Sequence, residues 1–103
     1  MQVNPRNAET KANLALFYAK RGDGAQAARL IREAREIDAG NVEIIYMDAT
    51  VDLFANRRSE ALAQLREAFR AGYPASFAKT DPDLKPLWTD AQFQRLVKEF
   101  EAK

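Results

Sequence analysis

Apolar and polar positions alternate with the period of a helix over most of the chain. Between Ala8 and Ile37 they fall into two runs. Leu14, Phe17, Tyr18 and Arg21 follow i, i+3, i+4 and i+7, three of them apolar. Ala27, Leu30, Ile31, Ala34 and Ile37 continue the pattern on a second face. The stretch "RGDG", Arg21 to Gly24, separates the runs. Gly22 suits a helix end, and Asp23 can accept from the free N–H groups that open the next helix. The spacing predicts a helical hairpin.

The same unit returns further along. Arg32-Glu33-Ala34 recurs as Arg66-Glu67-Ala68. Ala15 and Ala49, Ala27 and Ala61, Ile31 and Leu65, and Ala34 and Ala68 are separated by that same offset. Small side chains at one fixed spacing belong where two helices cross and their backbones approach closely. A second hairpin is therefore expected from Val42 to Ala75.

The remainder differs in character. Gly72 stops a helix, and Pro74 can open a short one over 75–79. "TDPDLKPLW" reads as turns, since Pro82 and Pro86 interrupt a regular helix. Thr89 and Gln92 have the spacing of a capping box for a last helix over 90–102. Phe93, Leu96, Val97 and Phe100 give that helix one apolar stripe, which needs a partner. A helix capping the preceding hairpins is one reading; a helix that binds a partner or a second copy is the other.

These residues resemble the tetratricopeptide repeat, a helical hairpin of about 34 residues. The first repeat, 8–41, matches through Leu14, Ala15, Tyr18, Ala27 and Ile31, and departs from the family pattern at Lys11 and Ala39. The second, 42–75, matches through Ala49, Ala61 and Leu65, with Pro74 one residue late. Residues 1–7, with "NPRN", look like the end of a preceding repeat or a linker, and 76–103 like a turn-rich linker and capping helix. The resemblance implies an all-α fold: a tetratricopeptide-like α-solenoid fragment with two antiparallel hairpins and a C-terminal capping helix. It also suggests a carboxy-terminal fragment of a bacterial-type repeat array.

The function implied by the resemblance is protein–protein interaction without catalysis. A peptide or partner protein lies along the concave helical face in this family. Carried over residue by residue, that face includes Glu9, Ala12, Asn13, Leu16 and Lys20 from the first repeat. Glu43, Tyr46, Met47, Thr50 and Phe54 come from the second. Ile44, Met47, Val51 and Phe54 make the second repeat's first helix too apolar for an open groove, so a peptide, the tail helix or a second copy is expected to cover it. Asn13 matches the residues that grip a terminal carboxylate in chaperone-binding members, but Glu43 and Met47 do not, which argues against that ligand. The competing readings are a regulatory C-terminal segment of a larger signalling enzyme and a self-associating structural module, a homodimer through apolar faces.

Composition narrows the chemistry. The chain has 103 residues, 30% of them charged, with a net charge of +1 and no basic stripe, so nucleic acid is not an expected partner. Cys and His are absent, which removes disulfides, thiolate metal sites, Cys nucleophiles and the commonest general base. No cofactor or metal is expected. No apolar run approaches the ~20 residues of a membrane span, and a cytoplasmic protein is the default. Ser59 and Ser76 have no His to activate them; a pairing of Ser76 with Lys79 lacks a motif, and helix-start and loop roles suit the two serines.

Asp81 and Asp83 flank Pro82 and suit turn and capping roles better than a cation site. Arg29, Arg32 and Arg35 form a strip that suits a solvated face better than a phosphate site, and Lys11, Lys20 and Arg21 read similarly. Asp48 and Asp52 stand where the family usually has Leu and Tyr. They are expected to be buried and paired with an arginine (Arg21, Arg58 or Arg66), or exposed by a locally shifted helix, or to be an acidic contact for a partner.

Overall fold

The computed structural model describes residues 5–101. Among the described residues, six α-helices and a 3₁₀ segment follow one another, with no strand. They are α1 (Pro5–Lys20), α2 (Gly24–Ile37), α3 (Val42–Phe54), α4 (Arg58–Arg70), α5 (Ala75–Ala78), the 3₁₀ segment (Pro82–Leu87) and α6 (Ala91–Glu101). α1 pairs with α2 and α3 with α4, and α3 also packs against both helices of the first pair. The result is elongated, 43 × 30 × 19 Å.

Local chemistry explains where the helices end. Gly22 has φ +85°, the left-handed conformation that glycine adopts without a Cβ penalty. The Asp23 N–H donates to the Tyr18 carbonyl at 2.9 Å, and the Gly22 N–H to Ala19 at 3.1 Å. This is a Schellman closure. At the end of α3 it recurs in register: Arg57 donates to Asp52 at 2.9 Å and Asn56 to Leu53 at 3.0 Å. Asn56 takes the left-handed φ of 63° in place of Gly22. Gly72 closes α4 in the same way, through Tyr73 N–H to Ala68. The Asp23 side chain caps α2 by accepting from Gln26 N–H, and Asn41 caps α3 by accepting from Glu43 and Ile44.

The small residues lie where helices cross. Ala15, Ala27, Ala34, Ala49, Ala61 and Ala68 are fully enclosed, and Ile31 and Leu65 are buried beside them. One core cluster joins Ala8, Ala12, Ala15 and Ala19 of α1 with Ala27, Leu30, Ile31 and Ala34 of α2 and with Ile44 and Val51 of α3. The other joins Ile45, Tyr46, Ala49 and Leu53 of α3 to α4, α5, the 3₁₀ segment and α6.

Several expectations need correction. The first hairpin closes on alanines, not on the Leu14–Phe17 face; Leu14 is 42% exposed and Phe17 51%. Close helix approach selects the smaller side chains. Helix α1 already includes Pro5–Asn7, and residues 1–4 of the expected repeat end or linker lie outside the described residues. The turns expected in "DPDLKPL" follow one another without a break. They form a 3₁₀ segment in which Leu84 N–H bonds to Asp81 and Trp88 N–H to Lys85, so neither proline is asked to donate. The last helix is capped by Asp90, whose carboxylate accepts from Gln92 and Phe93 N–H at 2.8 and 3.2 Å, not by Thr89. Its stripe of Phe93, Leu96 and Val97 is buried in the second cluster, against this chain's own residues. No helix of the described residues is long and apolar enough to cross a membrane.

Candidate functional site

The residues expected on one concave face divide three ways. Tyr46 and Thr50 are buried. Thr50 Oγ1 donates to the Tyr46 carbonyl at 3.2 Å within α3. The Tyr46 hydroxyl donates to Asp81 Oδ2 at 2.6 Å, and Leu84 and Leu87 of the 3₁₀ segment sit in the same cluster. The chain therefore covers this part of α3 with its own 3₁₀ segment. Lys20 reaches it too, pairing with Asp83 at 3.2 Å. Asp81 Oδ1 accepts from Asp83 N–H, so both carboxylates hold this segment in place.

The rest of the first-repeat set is dispersed. Ala12 is buried between helices, Leu16 is half-buried against the first cluster, and Glu9 and Asn13 are exposed. The expected apolar line on α3 also divides. Ile44, Val51 and half-buried Met47 face the first hairpin. Phe54 is 40% exposed at a cavity of only about 80 Å³, shared with Ala19, Gly22, Ala27 and Val51.

Glu43, Tyr46 and Met47 do come together. With Val42 and the α4–α5 corner they line a groove of about 510 Å³. The other wall is Ala71, Gly72, Tyr73, Pro74 and Phe77. The Gly72 turn throws the chain back toward α3, and α5 presents Phe77, 60% exposed. Tyr73 stacks on Tyr46 with centroids 4.0 Å apart and planes 10° from parallel, and Phe77 meets Tyr73 edge to face at 6.1 Å. Burial, reinforced by Asp81, holds both tyrosine hydroxyls above their ordinary titration range. They are neutral donors at any ordinary pH. Repeat spacing does not single out Tyr73 and Phe77; two aromatics beside a Gly–x–Pro turn are the available signal.

Asp48 and Asp52 are drawn into the structure. Asp48 accepts from Arg35 at 2.8 Å, and Arg35 also donates to Gln64, tying α2, α3 and α4 together. Asp52 accepts from Arg57 through Nε and Nη2 at 3.1 and 3.0 Å. Burial raises Asp52, repulsion from Asp48 adds to it, and Arg57 opposes both. An arginine pairs with each, as one expectation had it, but not Arg21, Arg58 or Arg66. Arg58 pairs with Asp90, Arg66 with Glu99, and Arg21 stands over the Phe17 ring at 5.2 Å. The α2–α3 crossing sets the first partner, and the turn between α3 and α4 sets the second, five residues along the chain.

The arginine strip is not one solvated face either. Arg29 bonds Gln26 and Glu33, whereas Arg35 turns inward. Lys11 is half-buried and meets Glu33 at 2.8 Å, which holds the Glu33 carboxyl below its ordinary range. Ser59 is exposed in the first turn of α4, and Ser76 is exposed on α5, not in a loop. Lys79 pairs with Glu101.

No protein family, curated protein or solved structure matches the chain.

Proposed function

We propose that the chain is a non-catalytic protein-interaction module of the tetratricopeptide kind, which binds a peptide segment of a partner in the groove between α3 and the α4–α5 corner. The repeated closure at Gly22 and Asn56, with enclosed alanines at the same offset, supports the family reading. One observation carries the binding site: Phe77 is 60% exposed at the edge of a groove that Met47 and Tyr73 also line. A large apolar side chain held out beside a preformed concavity is a feature of recognition surfaces. The tail segment occupies the neighbouring part of α3, so the partner peptide is confined to the Glu43–Phe77 stretch.

Selection of a random peptide library on the immobilised chain tests this. Recovered peptides should lose binding to Phe77→Ala and Met47→Ala but keep it to Phe54→Ala. Recovery of no peptides, or of peptides indifferent to Phe77→Ala, removes the groove from the reading.

One observation favours a second reading, self-association or stacking through α1. Leu14 and Phe17 are exposed, yet their counterparts in the second repeat, Asp48 and Val51, face the first hairpin. Sedimentation equilibrium decides: a dimer dispersed by Phe17→Glu supports this reading, and a monomer at high concentration ends it.

A further inference from the structure

The groove carries charge as well as apolar surface. We propose that it recognises a cationic side chain of the partner peptide, an arginine above all, seated against the rings of Tyr73 and Phe77 with its charge toward Glu43. This rests on the peptide-binding reading given above and names the residue class that such a peptide must carry.

The ring geometry comes first. Tyr73 is fixed by its stack on Tyr46, whose hydroxyl is in turn fixed by Asp81. Phe77 stands across Tyr73 at 86°, so two ring surfaces at nearly a right angle border one concavity. A cation within about 6 Å of a ring centroid is attracted by the negative face of the ring. Rings already held in place lose little freedom when the cation arrives. The molecule makes the same contact internally, with Arg21 over Phe17.

The charge around the groove is the second observation. Glu43 is exposed on its α3 side, and its carboxylate has no hydrogen-bond or ion-pair partner among the described residues. Asp81 lies behind Tyr46. Asp83 is already paired with Lys20, which engages that ammonium group away from the groove. Both Glu43 and Asp81 act on the Tyr73 hydroxyl, after burial, to raise it; the fields of both carboxylates reach the groove. Arg70 borders the next cavity along, with Phe69 and Phe100, and does not line this one. A groove with aromatic walls, a carboxylate open to solvent and no cationic residue in its lining is complementary to a planar guanidinium, which stacks on rings and pairs with carboxylate at once.

The test uses a peptide recovered by the library selection, synthesised with its arginine and again with citrulline in that place. Citrulline keeps the shape and removes the charge. Titration calorimetry on the whole chain should show the citrulline peptide bound about tenfold more weakly. In Glu43→Gln that difference should shrink below about threefold, because the cycle isolates the coupling between cation and carboxylate. Higher salt should narrow it as well. Glu43 is exposed, and an unchanged circular dichroism melt for the variant shows that folding is not at issue. Peptides that depend on Phe77 but carry no arginine or lysine overturn this inference and leave the peptide-binding reading in place. A citrulline penalty that is unchanged in Glu43→Gln puts the cation elsewhere and overturns the assignment. Peptides indifferent to Phe77→Ala overturn both.

Discussion

The two hairpins share one backbone unit and bury opposite chemistry. At the outer positions of α1 stand Leu14 and Phe17, both open to solvent. At the positions 34 residues later, on α3, stand Asp48 and Val51, both facing the first hairpin. The apolar pair is exposed, and a carboxylate is enclosed. The number of neighbours accounts for the inversion. Among the described residues, α1 packs chiefly against α2 and α3, whereas α3 lies between the first hairpin and the elements that follow it. Ile44, Ile45, Tyr46, Ala49, Thr50, Val51, Asp52 and Leu53 are all buried, so α3 has no single apolar stripe. A helix enclosed on both sides must satisfy its polar groups internally, and Arg35 and Arg57 do so.

Substitution of one apolar residue on each of the two helices is the strongest way to break this contrast. Ile44→Ala empties a site between the hairpins and should cost about 2–5 kcal/mol. Leu14→Ala on the open face should stay within ~0.5 kcal/mol. Urea unfolding measures both, and equal losses would contradict the inversion.

The polar contacts come next. Arg35→Met leaves Asp48 with little solvent and no cation, at a cost of about 1–3 kcal/mol. Combining it with Asp48→Leu, the residue that the first hairpin carries at this position, should recover most of the loss. A double variant as unstable as the single one would mean that the pair is not what holds Arg35 in the junction. Loss of the α3 cap in Asn41→Ala should cost about 1 kcal/mol by the same unfolding measurement.

The smallest effect is the pH dependence, and its sign differs between carboxylates. Lys11 holds Glu33 below its ordinary 4.5, and the Phe93 N–H, with Arg58, holds Asp90 below 3.8. Their stabilisation is present above those ordinary values and is lost as pH falls through the lowered ones. Asp52 is raised, so its contribution runs the other way and is lost as pH rises through its folded value. Melting temperature should fall on acidification, less steeply in Asp90→Asn and more steeply in Asp52→Asn. Identical slopes in all three proteins would remove these groups from the account.

Local closures and spacing were well displayed in the sequence. Gly22 with Asp23, Gly72, Pro74, the alanine pairs and the α6 stripe all act through short-range geometry that residue type alone dictates. Long-range choices were hidden. Leu14 and Phe17 have the periodicity of a core face, but α1 packs on α2 and α3 through its alanines, which leaves them exposed. Asn56 closes α3 as Gly22 closes α1, but asparagine is a weaker signal than glycine. That Asp48 and Asp52 needed arginines was legible; Arg35 depended on the α2–α3 crossing, whereas Arg57, five residues past Asp52, depended on the turn between α3 and α4. The candidate site suffered most. Tyr46 and Thr50 suited an open face until the 3₁₀ segment closed over α3, and Phe77 became a candidate only once the Gly72 turn set it opposite Glu43.

The most direct measurement of where this chain meets a partner is amide and aromatic chemical-shift mapping with a library-derived peptide. The account predicts perturbations concentrated at Glu43, Met47, Tyr73 and Phe77, with Leu14, Phe17 and Phe54 unmoved. Shifts centred on Leu14 and Phe17, with the Tyr73–Phe77 corner silent, would contradict it.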